Sequence, residues 1–322
     1  MKLNKSHLVN ISTDHKFSSI CIAIIAFILH SKFTTLNMRR LAILLFYFAV
    51  QPVHAFLIYG GVDSTTEFQQ QNGLVGIEIF RLNSALNDTE FCTGTLITES
   101  IILTAAHCLA TENNKTQISK IKVYFSLNMP SLKKTDFVEA SHFVFDERYL
   151  TNNLNYDIGL IRLKSKAPLN FKSSRLVYDD PTFNFDIKKP VMFTGFGIAN
   201  QLITQVIDVP NGTILELPIA NAYATIGRLR QVDELFISKV LTTTKEFEVS
   251  KNDSMGTCHG DSGGPMFMRN EKNQLIQIGI TSRGTNPNGN CDDSGIYTNI
   301  NEFKVWIQNS IQFLHHTKSI LK

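Results

Sequence analysis

Five cysteines, nine prolines and one tryptophan in 322 residues exclude several common architectures at the outset. No two cysteines form a CxxC pair, and no Cys/His cluster has the spacing of a zinc site, so no metal is assigned. Charge of one sign is also scarce: 31 Lys and Arg stand against 28 Asp and Glu, a net +3. No basic cluster is interleaved with aromatics, which removes nucleic acid as a partner. What is present in quantity is apolar: 43% of residues, enough for the cores of one large or two modest globular units.

Long apolar runs occur only near the start, and they are short for a bilayer span. Met38-Arg39-Arg40 followed by Leu41 to Val50, with small residues at Val53 and Ala55, reads as an export signal over 38–55 cleaved after Ala55. Residues 1–37 carry a second run, Ile20 to Leu29. Translation from Met38 removes it as lying upstream of the true start; translation from Met1 keeps it as an N-terminal extension and potential anchor. Both starts stay open. The mature chain is expected to be secreted, extracellular or periplasmic, with no stable membrane span. Cys21 lies in this leader, leaving Cys92, Cys108, Cys258 and Cys291. An even number in an exported chain points to disulfides, with three connectivities open.

From Ile58 onward, short apolar or alternating runs are separated by Asn, Gly, Ser and Asp, as in Leu74 to Phe80, Ile121 to Phe125, Val191 to Phe193, Leu275 to Thr281 and Gly295 to Ile300. That spacing predicts an all-β barrel or sandwich. Asn301 to Leu314 sets Phe303, Trp306, Ile307, Ile311 and Leu314 at helical intervals, predicting an amphipathic helix.

Three segments carry chemistry. Gly260-Asp261-Ser262-Gly263-Gly264-Pro265 lodges a serine among glycines, where the backbone can turn tightly and bring amides to a reacting atom. Thr104-Ala105-Ala106-His107-Cys108 ends an apolar strand with a base, and Asp157 opens another, Ile158 to Leu163. The order His, Asp, Ser is that of one known triad template. The nucleophile elbow and strand-helix alternation of α/β-hydrolases are missing, which argues against an esterase of that kind. On these motifs the chain, from about Ile58 to the last helix, resembles the trypsin/chymotrypsin family of serine endopeptidases.

The resemblance implies two packed antiparallel six-stranded β-barrels with a C-terminal α-helix: residues 58–164, 190–300 and 301–314 of a 58–322 domain, with Ser165 to Lys189 crossing between the barrels. It implies Ser262 as nucleophile, His107 as base, Asp157 as its orienting acid, and an oxyanion hole from the amides of Gly260 and Ser262. It pairs Cys92 with Cys108 and Cys258 with Cys291. Ser282 and Gly284 match the strand that pairs with substrate backbone; Gly256, Thr257, Gly284 and Gly295 match the specificity pocket. Gly256 brings no charge to the pocket floor, which favours bulky apolar P1 residues. Acidic P1 groups, helped by Thr257, His259 and Thr281, come second, and basic ones, helped by Asp292 or Asp293, third. Arg283 stands where relatives carry an aromatic, so the second subsite is expected to favour acidic or polar groups.

Ile58-Tyr59-Gly60-Gly61 resembles the family's mature N-terminus, whose ammonium pairs with an acid matching Asp261. Leu57 precedes it instead of Arg or Lys, so residues 56–57 form a two-residue propeptide removed by an unusual activator. The partners implied are protein or peptide substrates and protein inhibitors of a monomer without cofactor. A calcium loop is not expected, since Lys115 to Lys122 is mostly Lys, Ser and Thr. Asn87, Asn114, Asn211 and Asn252 head glycosylation tripeptides. The rival reading is a secreted binding protein that keeps the protease fold without turnover; the complete set of His107, Asp157 and Ser262 argues against it.

Overall fold

The computed structural model describes residues 61–82, 89–110, 117–129, 133, 136–151, 154–198, 226–250, 255–286, 291 and 294–317, and the strand backbones at 204–209 and 213–218. All lie in the unit Ala55–Lys322. The export signal, the 56–57 dipeptide, Ile58, Asp292, Asp293 and the four glycosylation asparagines lie outside the described residues.

The described residues open with β1 (Val62–Asp63) and the helix α1 (Thr66–Asn72). Thr65 caps α1 by accepting from the Phe68 amide at 3.1 Å, and Gly73, at φ 63°, ends it in the left-handed conformation that glycine adopts without penalty. Then follow β2 (Leu74–Leu82), β3 (Thr89–Leu96), β4 (Ile101–Thr104), the one-turn α2 (Ala106–Leu109), β5 (Gln117–Tyr124), β6 (Phe137–Phe145) and β7 (Gly159–Leu163). These six long strands close an antiparallel barrel in the order β2-β3-β4-β7-β6-β5. Its interior is filled by Ile77, Ile79, Ile121, Val123, Leu103 and Leu160, each 0% exposed. The alternation of buried and exposed residues along β5 gives the period-two pattern of a half-buried strand.

The second half holds β8 (Val191–Gly195), the separate hairpin β9 (Thr204–Val209) and β10 (Thr213–Pro218), then β11 (Arg230–Leu241), β12 (Glu246–Ser250), β13 (Pro265–Arg269), β14 (Leu275–Gly284) and β15 (Gly295–Asn299). The order β11-β12-β15-β14-β13-β8 closes through a β11–β8 pairing, which makes a second six-stranded antiparallel barrel. The expected two barrels are therefore present. Full closure leaves no free sheet edge in either of them. Between them, Leu74 and Tyr124 of the first barrel share an apolar cluster with Met192 and Phe267 of the second.

The first and last elements among the described residues cross this division. β1 pairs with β11 of the second barrel, reinforced by Asp63 accepting from Arg230 Nε at 3.3 Å. At the other end, the helix expected over 301–314 is split. Asn299 Oδ1 accepts from the Asn301 amide at 3.1 Å and starts a 3-10 turn, Ile300–Phe303; the α-helix proper, α3, runs Lys304–His316. Phe303, Ile307 and Leu314 are buried against the first barrel, and Arg162 on β7 donates to the Leu314 carbonyl.

Candidate active site

His107 stands on α2 directly after β4. Ala105 and Ala106 are both 0% exposed, so their small side chains let the one-turn helix seat tightly against the barrel. A disulfide from Cys108 to Cys92 on β3 fastens the same turn, with Cα atoms 6.5 Å apart.

Asp157 lies just ahead of β7, and its carboxylate is 2% exposed. Such a burial needs compensation, and the carboxylate receives it from three donors. Oδ1 accepts from the His107 backbone N–H at 2.9 Å, and Oδ2 faces His107 Nδ1 at 2.8 Å. Ser282 Oγ, from the second barrel, donates to Oδ2 at 2.6 Å. With Nδ1–H directed at a carboxylate, the imidazole offers Nε2 as its basic nitrogen. Burial depresses the proton affinity of His107, but the charge and hydrogen bond of Asp157, with Glu90 adding to them, hold its pKa above the ordinary 6.5. Burial likewise pushes the Asp157 carboxyl up, and the His107 charge together with the hydrogen bonds from His107 and Ser282 brings it below the ordinary 3.8.

Ser262 sits in a loop built by glycines and held from both barrels. Gly260 and Gly263 have φ of 95° and 82°, a region L side chains rarely enter. A Cβ on Gly263 would stand 2.1 Å from Thr104 Oγ1 and 2.4 Å from the Thr93 carbonyl, so β3 and β4 approach too closely for any other residue. Thr93 on β3 clasps the loop twice: its amide donates to the Ser262 carbonyl at 2.8 Å, and its hydroxyl donates to the Gly260 carbonyl at 2.9 Å. Within the loop, the Asp261 and Gly264 amides donate to the carbonyls of Cys258 and Asp261, and the Gly263 amide donates to Thr281. Asp261, 0% exposed, accepts from the amides of Gly197 and Cys258, each at 2.8 Å. A second disulfide joins Cys258 to Cys291, Cα atoms 5.3 Å apart.

His107 and Ser262 border two clefts. One, of about 260 Å³, is lined by Thr257, Thr281, Ser282, Arg283 and Gly284 among others. The other, of about 530 Å³, runs past Glu90, Phe91, the Cys92–Cys108 bridge and His259. A chain lying across Ser262 would find room on both sides of it. Among the described residues no hydrogen bond joins Ser262 Oγ to the imidazole; the hydrogen-bonded network runs His107–Asp157–Ser282. Such contacts commonly close only when substrate is bound.

Of the pocket residues expected from sequence, Thr257, Ser282 and Gly284 border the smaller cleft. Gly256 and Gly295 are buried and do not line it. Gly295 instead makes room for Tyr297, since a Cβ there would lie 2.6 Å from the Tyr297 hydroxyl. That hydroxyl pairs with Thr257 Oγ1 at 2.9 Å. Thr281 Oγ1 is buried without a hydrogen-bond partner. Arg283 differs from expectation: its guanidinium pairs with the 1% exposed carboxylate of Glu246 through contacts of 2.6 and 3.2 Å, so its charge is already matched. Ser282's contact with Asp157, and the parts taken by Glu246, Thr93 and Gly197, were not visible in sequence. Cys92, His107 and Cys108 bring three potential metal-ligand atoms within 4.8 Å, but two of these are sulfurs of the Cys92–Cys108 disulfide, so no metal is assigned there.

No helix among the described residues is long and apolar enough to cross a membrane. The chain is 25% identical to the chymotrypsin of Phaedon cochleariae over 238 residues, 72% of this chain and 76% of that one. It is 28% identical to the venom plasminogen activator LV-PA of Lachesis muta muta over 221 residues, 68% and 77% of the two chains. Transmembrane protease serine 11A of Homo sapiens is 25% identical over 223 residues, 67% of this chain but 48% of the relative, so the chain spans about half of that protein. With the trypsin family model matching residues 69–307, which take in both barrels and the first turn of α3, the chain belongs to the trypsin family.

Proposed function

We propose that the chain is a secreted serine endopeptidase that cleaves peptide bonds through an acyl-enzyme. The observation that carries this reading is the doubly hydrogen-bonded Asp157–His107 pair beside the Ser262 loop. Ser262 Oγ attacks the scissile carbonyl while His107 Nε2 takes its proton. The imidazolium formed is stabilised by Asp157 and then protonates the leaving amine. Water repeats the sequence to release the acyl group. The carbonyl oxygen, as it gains charge, is held by the Gly260 and Ser262 amides; neither is among the loop amides engaged in the described backbone hydrogen bonds. Ser282 and Gly284 bind the substrate backbone as an added strand.

The P1 residue is bulky and apolar, because the smaller cleft has no charge of its own at Thr257 or Gly284 and Arg283 is paired with Glu246. The protein is made as a zymogen and activated when cleavage before Ile58 frees an ammonium for the buried Asp261. A P1-varied peptide library digested with protein beginning at Ile58 tests turnover, activation and preference together. Cleavage after Phe, Tyr, Leu or Met is the expected result, and cleavage confined to Lys and Arg would overturn the pocket assignment.

One observation favours the rival reading of a binding protein: the absence of a Ser262–imidazole hydrogen bond in this structure. Labelling by a fluorophosphonate, abolished in Ser262→Ala, decides between the two. An unlabelled, activated wild-type chain would establish the binding protein.

A further inference from the structure

Ser282 can keep Asp157 in place only if its single hydroxyl proton points there, and nothing in a serine side chain alone ensures this. A serine oxygen has one proton to donate and two lone pairs to accept with. Its rotor is set by the acceptor its proton meets together with any donor that approaches those lone pairs. Arg283 Nη1 lies 3.3 Å from Ser282 Oγ, donating to it, while Ser282 Oγ donates to Asp157 Oδ2 at 2.6 Å. The same Nη1 donates to Glu246 Oε1 at 2.6 Å, and Nη2 donates to Oε2 at 3.2 Å. An unbroken row therefore runs from Glu246 through Arg283, Ser282 and Asp157 to His107.

Two consecutive residues of a regular strand point to opposite faces. Here β14 carries an irregularity: Thr281 opposes Tyr297 and Arg283 opposes Ile296, so Ser282 is one residue too many on its strand. Bulges of this sort re-aim side chains beside active sites. This one lets Ser282 and Arg283 approach each other, although the first reaches into the first barrel's Asp157 and the second to β12. Glu246 is 1% exposed, too deeply buried for a carboxylate to stand uncompensated, and the two-pronged contact fixes the guanidinium plane in one orientation.

Resting on the peptidase reading above, we propose that Arg283 and Glu246 form a positioning pair for the triad: Glu246 anchors the guanidinium, the guanidinium commits the Ser282 proton to Asp157, and Asp157 is thereby held square to His107. The pair acts through Ser282 and touches neither substrate carbonyl nor nucleophile. The positive charge of Arg283 is matched by Glu246, so the pair orients the acid without presenting a free cation to the substrate.

The test is a cycle on activated full-length protein. The double exchange Arg283→Leu/Glu246→Leu removes both charges together and leaves no orphaned buried carboxylate; it is made in the wild type and in Ser282→Ala. Turnover is followed on a small P1-only ester and on an extended peptide. In the wild-type background kcat on the ester falls about tenfold, the scale of one charged hydrogen bond, with KM nearly unchanged. In Ser282→Ala the same exchange changes kcat by less than about twofold, because the residue it acts through is gone. Equal losses in both backgrounds, no loss, or a loss confined to KM for the extended peptide would each overturn the positioning role. Should the double variant fail to fold by near-UV circular dichroism, Glu246→Gln replaces it, with the same dependence on Ser282 expected and a smaller loss. An inert wild type towards fluorophosphonate ends the peptidase reading as well; a reactive wild type with unaffected variants ends only this one.

Discussion

Thr298 Oγ1 donates at 2.9 Å to the backbone carbonyl of Asp157, joining β15 of the second barrel to the segment ahead of β7 in the first. With Ser282 on the Asp157 side chain, the second barrel thus holds both ends of this residue. Thr298→Val keeps the shape and removes the donor. The buried carbonyl then lacks this partner, a loss of about 1–3 kcal/mol, read as a lower urea midpoint with unchanged slope and a several-fold fall in kcat.

The His107 and Asp157 shifts place activity and stabilisation in different pH windows. General-base action requires neutral imidazole, so kcat/KM rises as His107 loses its proton, with a midpoint above pH 6.5. For stability the signs are opposite. A raised histidine pKa contributes fully below 6.5 and its contribution is lost as pH rises through the raised value; the lowered Asp157 pKa contributes above 3.8 and is lost as pH falls through the lowered value. The pair therefore stabilises most between pH 3.8 and 6.5, where turnover is poor. Parallel profiles of kcat/KM and Tm against pH check this, and coincident maxima would contradict the assignment. Asp157→Asn removes the chief group raising the imidazole pKa and costs about 10⁴ in kcat, with the acid limb moved to lower pH.

Gly197 is an unexpected point of sensitivity. A Cβ there would lie 2.5 Å from Asp261 Cγ, while its amide donates to Asp261 Oδ1 at 2.8 Å. Gly197→Ala must displace the buried carboxylate and, with it, the loop between Cys258 and Gly264. The expected result is a loss of at least about 10²-fold in kcat, comparable to removing an oxyanion donor, while far-UV circular dichroism stays unchanged. Full activity in this variant would show that the loop does not depend on where Asp261 sits.

The two disulfides are predicted to act on different quantities. By loop length, closing 16 residues between Cys92 and Cys108 stabilises by about 3 kcal/mol and closing 33 between Cys258 and Cys291 by about 4 kcal/mol. Replacing Cys258 and Cys291 by serine also frees a wall of the smaller cleft, so KM for P1-varied substrates rises as well as Tm falling. Replacing Cys92 and Cys108 loosens the His107 turn and lowers kcat. Steady-state kinetics alongside thermal melts separate the two outcomes.

An all-β barrel or sandwich was legible because the strands are short, alternating and punctuated by turn residues, whereas the pair of barrels came only from the family resemblance. The three catalytic candidates were legible because each sits in a distinctive local string. Ser282 was visible only as part of a substrate-binding strand. Its hydroxyl meets Asp157 across 125 positions, Thr298 meets it across 141, and Glu246 meets Arg283 across 37. No local periodicity encodes such meetings; they arise when two closed barrels are brought together. The partner of Arg283 was hidden for the same reason. A cation on a cleft strand reads as available for acidic groups until the buried carboxylate on β12 is seen. The helix boundary moved because Asn299 caps a tighter turn before α3, a detail hidden inside an apolar pattern that fits both.

The strand β1 is borrowed by the barrel that the following hundred residues do not build, while α3 leans on the barrel its own half did not supply. Each half thus lends an arm to the other, like two people shaking hands with crossed wrists. Separation of the halves would strip both arms at once, so melting should proceed as a single cooperative event, and neither half expressed by itself should retain a native core.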